Sequence, residues 1–188
     1  MAEDKLDIKI VNIVVASSLE HDIPLEKMAA TLSNTEYNPE QFPGLVIRIK
    51  EPKTSALIFS SGKIVCTGAK NLDEVRKCID KIIQSLEKIS VKITVTPVIT
   101  IQNIVASGGI GMDLNLNSLA MKLDNTEYEP EQFPGLVYKV KITKNTDKPF
   151  NATFLLFSNG KIVCTGTKSE AQVQIAVRQL IENLKKVK

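Results

Sequence analysis

The chain has 188 residues, 43% of them hydrophobic and 24% charged, with a formal net charge of +3. This describes a globular chain of one or two domains, not a disordered one. Its basicity is too slight to argue for nucleic acid, and no apolar run has the length of a membrane span. The charged start MAEDKLDIKI lacks a signal-peptide core, so the cytoplasm is the expected location.

In chain order, DIKIVNIVVAS reads as a first strand, and Leu25, Met28, Ala29 and Leu32 give the next segment helical spacing, with Pro24 suited to its first turn. A polar phrase follows, NTEYNPEQFPGLV (Asn34 to Val46), which sets Phe42 before a Pro-Gly turn. The runs LVIRIK, SALIFS and KIVCTG read as three further strands, the last two joined by a Ser61-Gly62 turn. A long helix closes the segment. Asn71 and Glu74 have capping-box spacing, and Leu72, Val75, Ile79, Ile82, Ile83 and Leu86 form one apolar stripe.

The same plan then repeats. NIVVAS returns as NIVASG and the polar phrase as NTEYEPEQFPGLV, both 91 residues on (Asn12 to Asn103, Asn34 to Asn125). SSGKIVCTGAK returns as SNGKIVCTGTK 98 residues on, so the second copy carries seven extra residues within KITKNTDKPFNAT, Lys141 to Thr153. Leu116, Leu119, Ala120 and Leu123 mark its short helix. Ser169 with Gln172, and the stripe from Val173 to Leu184, mark its long one. Two copies are too few for a solenoid and suit two fused half-domains, residues 1–92 and 93–188, descended from a symmetric dimer.

Strands joined by hairpins form a mainly antiparallel sheet, and two helices per copy can cover one face. The other face is then Asn12, Val14, Leu57, Phe59, Val65 and Thr67, repeated as Asn103, Val105, Leu155, Phe157, Val163 and Thr165. It is apolar, almost uncharged, and carries a few hydrogen-bonding groups, which marks a binding surface, or else a face buried in a larger oligomer or under a further loop. The minor groove of A·T-rich DNA offers acceptors only, while G·C adds a protruding amino group. Amide donors on Asn12 and Asn103 and the hydroxyls of Thr67 and Thr165 match those acceptors. A broad sheet enters a narrow groove only if wedges open it, and Phe42, Phe59, Phe133 and Phe157 supply two wedges per copy. Arg48, Lys53, Lys63, Lys139 and Lys161 can meet phosphates.

These phrases closely resemble the TATA-box-binding protein family, in its compact archaeal form, from about Asp7 to Leu184. The resemblance implies an α+β saddle, with one curved ten-stranded antiparallel sheet and four helices on the convex side. It implies DNA-intercalating pairs Phe42 with Phe59 and Phe133 with Phe157. It assigns groove contacts to Asn12, Val14, Leu57, Val65, Thr67, Asn103, Val105, Leu155, Val163 and Thr165. Double-stranded promoter DNA is the implied ligand. Transcription factor B, docking around Glu129, Glu131 and Leu136, and the RNA polymerase pre-initiation complex are the implied partners. A free chain could pair its apolar faces as a homodimer. The insertion puts the phosphate contact near Lys148 outside the family pattern, and the basic tail NLKKVK differs from the acidic ends of many archaeal members.

Nothing points to catalysis, a cofactor or a metal. SSGK lacks the first glycine and the Ser/Thr of a phosphate loop, and it joins two strands. His21 is the only histidine; Cys66, Cys78 and Cys164 form no metal-ligand spacing, and Cys66 and Cys164, in matching IVCTG phrases, read as small buried residues. Two other readings are a protein-interaction module of the same fold and an accessory domain of a nucleic-acid enzyme. The retained Phe and Asn argue against the first, and the lack of a catalytic segment against the second.

Overall fold

The computed structural model describes residues 6–187; the first five residues and Lys188, the end of the basic tail, lie outside the described part. Ten strands and four helices follow one another as β1 (Asp7–Ser18), α1 (Leu25–Thr31), β2 (Thr35–Glu36), β3 (Leu45–Ile49), β4 (Thr54–Ile58), β5 (Lys63–Ala69), α2 (Leu72–Lys88), β6 (Thr100–Gly109), α3 (Leu116–Lys122), β7 (Thr126–Glu127), β8 (Leu136–Ile142), β9 (Phe150–Leu156), β10 (Lys161–Thr167) and α4 (Glu170–Val187). The strands form one sheet in the order β2-β3-β4-β5-β1-β6-β10-β9-β8-β7. The α+β class expected from sequence is therefore the one found. The two-residue strands β2 and β7 sit inside the polar phrase, where residue patterning alone shows no strand.

The chain divides into two compact units, residues 12–102 and residues 103 onward together with the chain up to Val11. In the first, β2 to β5 are joined by antiparallel pairs and β5 pairs with β1. Ile47, Ala56, Ile58, Ile64 and Cys66 are buried on one face, where α2 packs through Val75, Cys78, Ile79, Ile82 and Leu86. The Cys66 and Cys78 sulfurs are 3.4 Å apart. Their shared S–H···S contact, with burial, pushes the Cys66 thiol far above its usual range. In the second unit α4 covers β8 and β10 through Val173, Ala176, Val177, Leu180 and Leu184, with Tyr138, Phe154 and Cys164 beneath.

Helix starts follow local chemistry. Asn71 accepts from the Glu74 amide at 2.9 Å and Ser169 from the Gln172 amide at 3.1 Å. The returning Glu74 and Gln172 side chains accept from the amides of Lys70 and Lys168, one residue before the cap. Pro24 stands at the N-cap of α1 and not inside its first turn. Leu32 and Leu123 are extended C-caps, so the short helices end one residue earlier than their apolar spacing suggests. Leu72, counted in the α2 stripe from sequence, is the first residue of α2 and is 41% exposed.

Candidate nucleic-acid interface

The face opposite the helices is built from alternate strand positions. In the first unit Asn12, Val14, Leu57 and Val65 are half-buried and Thr67 is exposed, while their neighbours Ile13, Val15, Ala56, Ile58, Ile64 and Cys66 are buried. Register brings the open-face residues together: Leu57 lies opposite Val65 and Val46, and Ser55 opposite Thr67. The second unit repeats this with Leu155 opposite Val163 and Val137, and Thr153 opposite Thr165. Val105 and Asn103 are half-buried beside them on β6.

The two asparagines are fixed donors. Asn12 Oδ1 accepts from the Gly68 amide at 2.7 Å, and its Nδ2 donates to Thr67 Oγ1 at 3.1 Å. Asn103 does the same with Gly166 at 2.8 Å and Thr165 at 3.0 Å. An amide nitrogen has two protons and only one is used here, so each Nδ2 keeps an N–H for an outside acceptor. The backbone amide can only donate, which fixes which end of the side-chain amide is oxygen. Gly68 and Gly166 reach this position with φ of +96° and +90°, where the ladders of β5 with β1 and β10 with β6 lose register. These glycines were missed in the sequence, although a glycine inside KIVCTGA is the ordinary mark of a bulge.

Each unit also holds a pair of rings at the end of the open face. Phe42 and Phe59 have centroids 6.0 Å apart at 66°, Phe133 and Phe157 6.0 Å apart at 71°, both edge to face. Phe42 is 43% and Phe133 40% exposed, unusual for rings in a folded protein. Their loops are shaped by one carbonyl each: Asn38 O accepts from the Gln41 and Phe42 amides, Glu129 O from those of Gln132 and Phe133. Each ring lies over a glycine. A Cβ on Gly44 would stand 2.7 Å from Phe42 Cε1, and one on Gly135 2.6 Å from Phe133 Cε1. A side chain there would push the ring from its place.

Two expectations change. Leu136 is fully buried at the start of β8, where its side chain belongs to the core. A partner can touch the exposed Glu129 and Glu131 but not Leu136, whose place on the helix-facing side follows from strand alternation. Arg48 and Lys139, expected to meet phosphates, hold carboxylates in the free protein: Arg48 Nη1 lies 2.7 Å from Glu36 and Lys139 Nζ 3.0 Å from Glu127. Such exposed pairs contribute only about 0–1 kcal/mol, so a phosphate can replace the carboxylate.

The fold has close counterparts. The family model described as transcription factor TFIID (or TATA-binding protein, TBP) matches residues 7–89 and 98–187. The chain belongs to the TATA-box-binding protein family. It is 50% identical to the TATA-box-binding protein of Picrophilus torridus over 182 residues, covering 96% of this chain and 95% of that one. With that of Thermococcus kodakarensis it is 48% identical over 179 residues, covering 95% and 90%. The solved structure of Methanococcus jannaschii TBP superposes with a TM-score of 0.84 at 45% identity, covering 95% of this chain and 98% of that one. The TATA-box-binding proteins are transcription factors and not enzymes. No described helix is long and apolar enough to cross a membrane.

Proposed function

We propose that this chain is a general transcription initiation factor that binds TATA-box promoter DNA in its minor groove. The carrying observation is the pair of locked donors, Asn12 and Asn103, each set in an apolar face that ends in two Phe rings. At A·T pairs the groove offers only acceptors, which suit an N–H of fixed direction. At G·C pairs the guanine amino group would meet Val14, Val65, Val105 or Val163 with no acceptor to receive it.

Leu57 and Leu155 extend the apolar contact, and Thr67 and Thr165 add hydroxyls. Phe42 with Phe59, and Phe133 with Phe157, enter base steps and kink the duplex. Unstacking costs about a few kcal/mol per step, a generalisation drawn in part from this very family. Arg48 and Lys139 exchange Glu36 and Glu127 for phosphates. Residues 1–92 and 93–188 act as the two repeats of one reader. The exposed Glu129 and Glu131 beside Phe133 offer acidic contacts to transcription factor B, which in turn brings RNA polymerase. Without DNA, the same apolar face is open to a second copy of the chain, and with DNA the protein resides on the nucleoid.

The test is end-to-end FRET on a short doubly labelled A·T-rich duplex at fixed salt. Wild type should raise transfer sharply, and Phe42→Ala/Phe59→Ala or Phe133→Ala/Phe157→Ala should reduce the rise. No change with micromolar wild-type protein sinks the reading and leaves a protein-interaction module of the same fold.

A further inference from the structure

The hairpin between β8 and β9 is where the second copy departs most from the first. In the first, the β3–β4 ladder ends at Ile49 opposite Thr54. In the second it continues past the equivalent Val140–Ala152 pair, through Lys141 opposite Asn151 and Ile142 opposite Phe150. Alternation along β8 puts Val137, Lys139 and Lys141 on the open face, while Tyr138, Val140 and Ile142 are buried on the other. The extension therefore carries the open face outward by one more pair, with Ile142 buried beneath it.

The connection is shaped and cationic. Asn145 adopts φ +56°, and Thr146 Oγ1 donates to the Lys148 carbonyl at 2.9 Å. Lys141, Lys144 and Lys148 are all exposed. Among the described residues none of the three is ion-paired, whereas Lys139, two positions earlier on the same face, is held by Glu127. Asp147 is the only acidic residue between Lys141 and Pro149.

We propose that this extended hairpin is a phosphate-binding arm, which takes the backbone of duplex DNA beside the A·T-rich site through Lys141, Lys144 and Lys148. The proposal rests on the groove-binding reading above. A face that meets the floor of a groove runs out, at its rim, onto the phosphates. Lys141 continues that face, Lys144 and Lys148 are exposed in the connection that follows it, and none of the three has a carboxylate to give up first. Long, unpaired ammonium groups suit a backbone contact that positions without reading sequence.

The test compares three proteins by the slope of log K against log salt on one duplex, with FRET bending read at saturation. Lys141→Gln/Lys144→Gln/Lys148→Gln changes exposed residues only, so it should fold and bend DNA fully. Its salt slope should be shallower by about 2–3, since each phosphate contact contributes about 0.9. A control, Lys77→Gln/Lys81→Gln/Lys88→Gln on the exposed side of α2, removes equal charge from the helix-bearing face and should change the slope by less than half as much. Equal effects from both variants would mean net charge and no arm. An unchanged slope in the hairpin variant, with bending intact, overturns the arm and leaves groove binding standing. A wild type that neither binds nor bends DNA overturns both.

Discussion

The two units share most of an open face and differ at several positions beneath it. Asn12, Val14, Val46, Leu57, Phe59, Val65 and Thr67 recur unchanged as Asn103, Val105, Val137, Leu155, Phe157, Val163 and Thr165. On the buried side, Ile47, Ala56 and Cys78 of the first unit stand where the second has Tyr138, Phe154 and Ala176. Two larger strand residues face one smaller helix residue, and the Tyr138 hydroxyl accepts from Asn183 Nδ2 at 3.0 Å, where the first unit has Ser85 bonded to its own helix. A core needs volume and satisfied polar groups, which several residue sets supply. A face that must fit something outside the fold has fewer solutions.

The sharpest way to break this comparison is in the second core. Phe154→Ala should lower stability by about 3–5 kcal/mol, read as a shifted urea midpoint, because the cavity left under α4 cannot collapse fully. Ala56→Phe in the first unit should cost about 1–3 kcal/mol by overpacking, and adding Cys78→Ala should recover part of that. Full additivity of the two changes would show that the cores do not compensate.

Smaller effects are expected on the open face. Asn103→Ala removes the side-chain acceptor of the Gly166 amide, which water can replace at this exposed position, and should cost about 0.5–1.5 kcal/mol. Asn103→Asp keeps an acceptor for that amide, so stability should suffer less while affinity for an A·T duplex falls at least about tenfold, because the donor becomes an anion. A binding assay that ranks Asp above Ala would contradict the donor role. Gly135→Ala should displace the Phe133 ring and reduce bending with little change in melting temperature.

A last effect is confined to alkaline pH. Burial pushes the Cys164 thiol up to about 12 from its usual 9.0. Below pH 9 both folded and unfolded chains keep this proton. Between pH 9 and 12 the unfolded chain releases it first, so folded stability falls as pH rises, by at most about 1.4 kcal/mol per pH unit. The stability difference between wild type and Cys164→Ala should therefore shift against wild type across that window in urea titrations. A constant difference would place the thiol in contact with water.

Much of this was legible in the sequence for a physical reason. Strand alternation and duplication together separate the faces, so Asn12, Leu57, Val65 and their mates could be grouped without coordinates. What stayed hidden depends on register. The bond from Gly68 to Asn12 needs the bulge between β5 and β1. The pairs of Arg48 with Glu36 and Lys139 with Glu127 join neighbouring strands, of which β2 and β7 are too short to show a period. The outward growth of the β8–β9 ladder needed pairing beyond Val140, which a count of seven inserted residues does not give. Leu136 was assigned to a partner surface by resemblance, against the alternation that buries it.

The glycine floors under Phe42 and Phe133 have a thermodynamic consequence. A lone Phe on a loop samples several rotamers and loses that freedom when it docks. Here each exposed ring already rests on bare backbone and against the edge of a second ring. Its ordering entropy was surrendered during folding, so a later encounter finds the wedge set and loses less on capture. Loosening the floor should therefore appear first as a more unfavourable entropy of association, before any contact is missing from the bound state.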